Sequence, residues 1–272
     1  MSVDSAVNGI YAIKDTTAVA STPSQEGIAT SYVGAFEAID TKPERTYYYQ
    51  NKINISIDSL TDTKVYGHSV VAGNQRPFSG TAEFKNGVYT ISAKEPGDDK
   101  YDGTFDFTLN PTALTIEGTW TANNTKLEVN KRKYKLTKAE FVYNAANVLP
   151  ESLGGEIISD WNNISKFEDA SEMEKLTGDV TRFNASVVKL KKEDVENMFK
   201  GDLELTRNTI YARHGYSFKN RKMRYIFDNL VDWYIPVTTD VRNQLTKLEK
   251  ENIELIKRYE EHADKYYDSY GR

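Results

Sequence analysis

The sequence predicts an α+β chain: an antiparallel β-barrel of about eight strands, followed by a small helical domain. Three observations carry this. Between Tyr32 and Tyr143, apolar residues recur at every second position in short runs broken by Gly, Pro, Asn and Asp. Beyond Leu190 the period lengthens to that of a helix. The charge is also divided, since residues 181–272 hold 18 Lys/Arg against 15 Asp/Glu, which leaves −8 of the overall −5 on residues 1–180. At 272 residues the chain exceeds the usual size of one core, so two units are expected.

The strands follow in order. Ser31–Ala38 leads, then Ile53–Asp58, with Ile53, Ile55 and Ile57 on one face. Val65–Ala72, Ser79–Phe84 and Val88–Ala93 come next. The last two are joined by Asn86-Gly87, whose type I′ turn needs positive φ at both residues. Thr104–Leu109 is closed by Asn110-Pro111. Leu114, Ile116 and Gly118 lead into Trp120, and Asn123-Asn124 turns the chain toward Leu127–Leu136. Consecutive hairpins with few long crossovers favour a closed lipocalin-like or calycin-like meander over the alternative, a two-sheet β-sandwich. Such a barrel either holds a small apolar ligand or fills itself with side chains such as Phe105, Phe107 and Trp120.

The segment from Gly67 to Gly80 contains His68 and Arg76 beside Gly73, Asn74 and Pro77. It reads either as a rim loop presenting Arg76 and His68 to an anion or as a tight hairpin with Arg76 paired to a nearby acid. Gly73 and Asn74 are the positions expected at positive φ. The segment resembles one in exported lipoproteins of the Bacteroidetes type, a resemblance that implies no activity. Asp98, Lys100, Asp102 and Gly103 superficially follow calcium-loop spacing. Lysine at the third position and Leu109 at the twelfth, where a bidentate glutamate is required, make this a hairpin turn.

The expected division is 1–143 for the barrel, 144–186 for a linker with short helices, 187–262 for the helical domain and 263–272 for a tail. Weakly apolar stretches around Ile157, Trp161, Ile164 and Phe167 fall in the linker, and Val187–Leu190 reads as a short strand or extended lead-in. Helices are expected over Lys192–Phe199, from Asp202 as cap to a C′ Gly215, and over Asn220–Leu230. A long last helix is capped by Thr239 or Asp240, with Leu245, Leu248, Asn252, Leu255, Ile256 and Tyr259 on one face.

Leu205-Thr206-Arg207-Asn208-Thr209-Ile210-Tyr211-Ala212-Arg213-His214-Gly215-Tyr216-Ser217-Phe218 resembles the signature of the YARHG domain family, and the match runs on through Trp233-Tyr234 into Leu248–Glu254. The resemblance implies an extracytoplasmic bacterial domain and no reaction. Within the motif, Tyr211, Ala212, Arg213, His214 and Gly215 read as a helix end. Gly215 takes the C′ position, while Arg213 and His214 meet the negative end of the dipole. Arg207 lies one turn before Tyr211 and is positioned to stack on it. The functional reading rests on a basic run, in which Arg213, His214, Lys219, Arg221 and Arg224 (with Lys222) meet an anionic cell-envelope component or another envelope protein.

Several function classes are excluded by what the chain lacks. Cysteine is absent, which removes disulfides, thiolate zinc sites and cysteine nucleophiles. A net charge of −5 disfavours nucleic acid. No nucleophile elbow, zincin motif, P-loop or dinucleotide fingerprint occurs. His68, His214 and His262 are not spaced as metal ligands, His262 reads as solvated, and no cofactor is expected. The expectation is a non-catalytic exported envelope protein, in the periplasm or as an outer-membrane lipoprotein, with a ligand- or partner-binding role. Met1-Ser2-Val3-Asp4 lacks the parts of a signal peptide, so this location requires an export signal ahead of residue 2. The alternatives are a hydrolase of an envelope polymer and a small-molecule or lipid carrier using the barrel interior.

Overall fold

The computed structural model describes residues 27–39, 50–156 and 175–266. Eight strands form a closed antiparallel barrel in simple sequential order: β1 Ser31–Ala38, β2 Asn51–Leu60, β3 Lys64–Val71, β4 Asn74–Lys85, β5 Val88–Lys94, β6 Gly103–Asn110, β7 Thr115–Ala122 and β8 Lys131–Lys138. Closure is made by β1 against β8, where Phe36 lies opposite Tyr134 and Val33 opposite Thr137. Period-two alternation sends Ile53, Ile55, Ile57, Phe105, Phe107, Leu109, Tyr134 and Leu136 inward, while Lys, Thr, Ser and Glu cover most of the outer wall.

Turn chemistry explains the hairpins. Asn86 (φ 53°) and Gly87 (φ 82°) adopt the expected left-handed pair. At the β3–β4 hairpin the pair is Ala72 and Gly73 (φ 52° and 74°), not Gly73 and Asn74, because Val71 pairs with Asn74 and leaves a two-residue loop. Pro77 therefore lies inside β4, opposite His68, at a level that β5 does not reach. The eighth strand starts at Lys131, not Leu127. The Asn124 side chain accepts from the Lys126 amide and its carbonyl from the Leu127 amide, which prolongs the turn.

Connections alternate between the two ends of the barrel. The β2–β3, β4–β5 and β6–β7 turns share one end, above which Ile57, Tyr89, Leu109 and Ile116 fill the interior. The β3–β4, β5–β6 and β7–β8 connections share the other, where the helical unit sits. That unit comprises α1 Asp179–Arg182, α2 Lys192–Val195, α3 Lys200–Arg213, α4 Arg221–Leu230 and α5 Lys247–Tyr266. α3 packs on α5 through Leu203, Ile210, Ile253 and Ile256. α4 packs Met223, Ile226 and Phe227 against Leu205, Phe218 and Tyr234.

Several helix boundaries differ from expectation. No strand forms over Val187–Leu190, where Val187 ends a turn, Val188 is a bend and Lys189 and Leu190 lead without regular structure toward α2, and the helix expected over Lys192–Phe199 stops at Val195. Asp202 is no cap. Phe199 precedes α3, and Asp202 is buried, accepting from the Thr177 amide at 2.9 Å and hydroxyl at 2.6 Å. The last helix begins at Lys247, because Thr246 and Glu249 form a reciprocal capping box, with Glu249 N to Thr246 Oγ1 at 3.2 Å and Thr246 N to Glu249 Oε2 at 2.9 Å. Asp240 instead binds Arg242 within the preceding loop. The helix also continues to Tyr266, into the expected tail. The apolar stretches around Ile157, Trp161, Ile164 and Phe167 lie outside the described residues.

The two units are tied by specific bonds. Lys52 of β2 donates to the carbonyls of Val231 and Tyr234 at 3.0 Å each, just beyond α4. Asn54 donates to the Pro236 carbonyl at 3.0 Å, and the Gly73 amide donates to Ser217 Oγ at 2.9 Å. The outward faces of Asn54 and Val70 are thereby buried, although each lies on the outer side of its strand.

Candidate functional site

The barrel does not fill its capped end. A chamber of about 610 Å³ lies between the mouth and α4, within the range of sites for small molecules. Its apolar wall is formed by Phe36, Phe105, Trp120, Leu127 and Val129. Phe36 and Trp120 meet edge to face, with ring centroids 5.9 Å apart. The cations on the lining are Arg76 and Arg132 from the barrel and Lys219, Arg221 and Arg224 from the helical unit; the carboxylates on it are Glu95 and Glu128.

Strand alternation aims the barrel's polar groups. Arg132 shares the inward face with Tyr134 and Leu136, Arg76 with Phe78, and Glu95 continues the line of Ile91 and Ala93. Arg132 donates to the Phe36 carbonyl at 2.9 Å and stacks 5.1 Å from that ring. Burial, and then the neighbouring charge of Arg224, bring its pKa down to about 10. Burial also lowers that of Arg224, against the pull of Asp228. Arg76 is held by acids of the β5–β6 turn, at 2.7 Å from Asp99, 3.4 Å from Asp102 and 3.7 Å from Asp98. Asp98 and Asp102 belong to the calcium-like spacing, and the segment forms a hairpin turn in which Asp102 Oδ2 accepts from the Gly97 and Asp99 amides. Among the described residues no group of three or more His, Asp or Glu could hold a metal.

Glu95 is buried, with Oε2 accepting from the Gly103 amide at 2.7 Å and from Trp120 Nε1 at 3.0 Å. Burial outweighs both bonds and pushes its carboxyl up to about 7. Burial likewise raises Asp228, beside Lys52 at the junction of the units, to about 7. A folded-state pKa above the unfolded value means that the native chain keeps protons which the unfolded chain releases. The associated stability is present below the ordinary carboxyl range and is lost as pH rises through about 7. Melting temperature is therefore expected to fall between pH 5 and pH 8, and Glu95→Gln and Asp228→Asn each to flatten that slope in calorimetry. A slope unchanged in both variants contradicts the assignment.

The structure sorts the sequence-predicted residues into three groups. Lys219, Arg221, Arg224 and Arg76 come together on the chamber. His68 does not join them; it lies on the outer wall, with Nδ1 at 3.1 Å from Asp58. Arg213 and His214 are not surface contacts either, at 3% exposure each. Arg213 donates to the Asn147 carbonyl at 2.9 Å and to Ser186 Oγ at 3.1 Å. His214 stacks on Tyr143, with centroids 4.3 Å apart, and pairs through Nε2 with Glu249 at 2.9 Å. Gly215 (φ 72°) ends α3, where a Cβ would clash with Val237 and meet Phe141 at 3.0 Å. Arg207 binds Glu260 in a two-bond fork at 2.7 and 3.0 Å. Arg132 and Glu95 were not expected; the signal available for both was strand alternation.

No helix among the described residues is long and apolar enough to cross a membrane. No curated protein and no solved structure matches the chain. A family model does match the part that caps the barrel, at residues 183–261, and its description is that of the motif-bearing helical unit: this chain carries a YARHG domain.

Proposed function

We propose that this protein is a non-catalytic binding protein of the cell envelope that holds a small amphiphilic anion in the chamber between its barrel and its YARHG domain. The observation that carries the proposal is the juxtaposition of Arg132, Lys219, Arg221 and Arg224 with an aromatic floor of Phe36, Phe105 and Trp120 in one 610 Å³ space. An apolar body gains by leaving water on that floor, and the cations meet the charged end where burial strengthens the attraction. The carrier role thus merges with the binding role, and the basic stretch finds an anionic partner inside the molecule. The envelope location rests on the YARHG resemblance; cell fractionation with a tagged full-length gene tests it, and a wholly cytoplasmic product removes it.

The binding test uses Trp120, which lies in the wall. Titration with dodecanoate is expected to change tryptophan emission saturably and to raise the melting temperature. Dodecyltrimethylammonium, with the same tail and the opposite charge, is expected to do neither. A Trp120→Phe variant that loses the emission change while keeping the thermal shift locates the ligand. Indifference to both amphiphiles overturns the proposal.

A second reading, a hydrolase of an envelope polymer, is favoured by Glu95, a carboxyl kept protonated up to about neutral pH inside the chamber as a general acid requires. Release of soluble fragments from isolated cell-wall sacculi, abolished by Glu95→Gln, would establish it in place of the first.

A further inference from the structure

We infer that the chamber's ligand is a carboxylate that accepts a hydrogen bond from Glu95 Oε1, which makes Glu95 the proton-donating, specificity-determining residue of the site and brings a proton in with the ligand. The inference rests on the chamber being the binding site. Glu95 follows the inward line of β5, is 8% exposed and lies on the chamber lining. Both of its hydrogen bonds end on Oε2, from the Gly103 amide at 2.7 Å and Trp120 Nε1 at 3.0 Å. Oε1 accepts no bond among the described residues and is not sealed by neighbouring atoms, so it is the oxygen that opens on the chamber. Oε2 gives its lone pairs to two N–H donors, and a proton on this carboxyl therefore sits on Oε1, aimed at what the chamber holds.

An anion entering this chamber needs a positive charge to accompany it, and most of the cations are already matched. Arg76 is bound by Asp98, Asp99 and Asp102, Asp228 draws Arg224, and Arg132 and Arg221 have partners of their own. Glu128 adds a second carboxyl to the lining, and Lys219 and Tyr101 are the other titratable groups on it. A proton on Glu95 supplies the charge. Burial, with Asp102 beside it, pushes this carboxyl up to about 7 against the bonds from Trp120 and Gly103 and the charge of Arg76. A carboxylate that accepts from Oε1–H makes a short, charge-assisted bond, and the pair shares one negative charge between two carboxyls. With proton and anion entering together, the net charge of the chamber is unchanged and no buried charge is left unpaired. When Glu95 is ionised, the two carboxylates repel each other instead. Affinity for a carboxylate is thus present below about 7 and is lost as pH rises through it.

The test is calorimetric titration of the whole chain with dodecanoate at pH 8, in two buffers of different ionisation enthalpy, which reads the protons taken up per ligand bound. Uptake is expected to be about one proton, and affinity to fall about tenfold for each pH unit above the titration of Glu95. Glu95→Gln places a fixed N–H donor where the proton would sit. It is expected to bind dodecanoate at pH 8 more tightly than the parent chain, with neither the uptake nor the loss of affinity above pH 7. Circular dichroism checks the fold. If Glu95→Gln does not fold, the parent chain decides, since uncharged 1-dodecanol, followed by tryptophan emission, is expected to bind equally well at pH 6 and pH 8. An equal fall for dodecanol and dodecanoate assigns the pH effect to the fold and overturns the inference. Dodecanoate binding without proton uptake, or uptake that survives Glu95→Gln, or uptake lost in Glu128→Gln or Asp228→Asn instead, overturns the inference and leaves the binding function standing. Failure of dodecanoate to bind at both pH 6 and pH 8 removes the inference together with the function beneath it.

Discussion

Glu249→Ala is expected to destabilise the YARHG domain by about 3–5 kcal/mol, because it leaves the buried His214 and further donors without their acceptor, at about 1–3 kcal/mol each. Glu249 is 0% exposed and serves several groups at once. Tyr143 donates to Oε1 at 3.1 Å, while Oε2 meets His214 Nε2 and the Thr246 amide, both at 2.9 Å. Burial alone would raise its pKa, but the bonds from His214, Thr246 and Ser186 outweigh burial and hold it at about 2. Stability from this carboxylate is thus present above its ordinary pKa and lost as pH falls toward about 2, opposite in sign to Glu95. The measurement is urea unfolding followed by helical circular dichroism. Glu249→Gln, which keeps the shape and one acceptor, is expected to cost clearly less. Equal, small losses in both variants would show that the hub does not hold α3, α5 and the Tyr143 segment together.

Phe105→Ala is expected to cost a similar amount, about 3–5 kcal/mol, through the barrel instead. Phe105 is fully buried between Phe78 (5.6 Å) and Tyr134 (6.1 Å) and forms part of the chamber wall. The closed sheet cannot collapse onto the space, because strand register fixes its circumference. The lost contacts therefore remain lost. The same enlargement is expected to shift binding toward longer alkyl chains, measured by comparing C12 and C16 amphiphiles on the variant and the parent. A loss below about 1 kcal/mol would mean that the wall relaxes inward, contrary to barrel geometry.

Much of the fold was legible because its signals are local. Alternation at Ile53, Ile55 and Ile57, and the left-handed pair Asn86-Gly87, depend on residues a few positions apart. Boundaries failed where two local signals competed. Asp240 is as good a cap by type as Thr246, and only the Glu249 amide and carboxylate decide between them. The site was half legible. Lys219, Arg221 and Arg224 stand out as a run of charge, but Arg132 is hidden among Lys131, Lys133 and Lys135, and only its phase with Tyr134 and Leu136 separates it from them. Arg213 and His214 belong to the same run by composition, yet their partners Asn147, Ser186 and Glu249 are distant in sequence.

The sequence by itself determined an eight-stranded meander, a helical domain bearing the Tyr211–Gly215 motif and a cationic stretch beside it, because periodicity, turn residues and charge runs act over short range. Only the tertiary structure decided that the helical domain sits on the open end of the barrel. The fold also buries Arg213 and His214 against distant partners, and the docking makes a chamber lined by Arg132 of one unit and Arg224 of the other. The physical reason is that burial and electrostatic pairing depend on what lies across an interface, and bonds such as Lys52 to Val231 and Gly73 to Ser217 join residues more than a hundred positions apart.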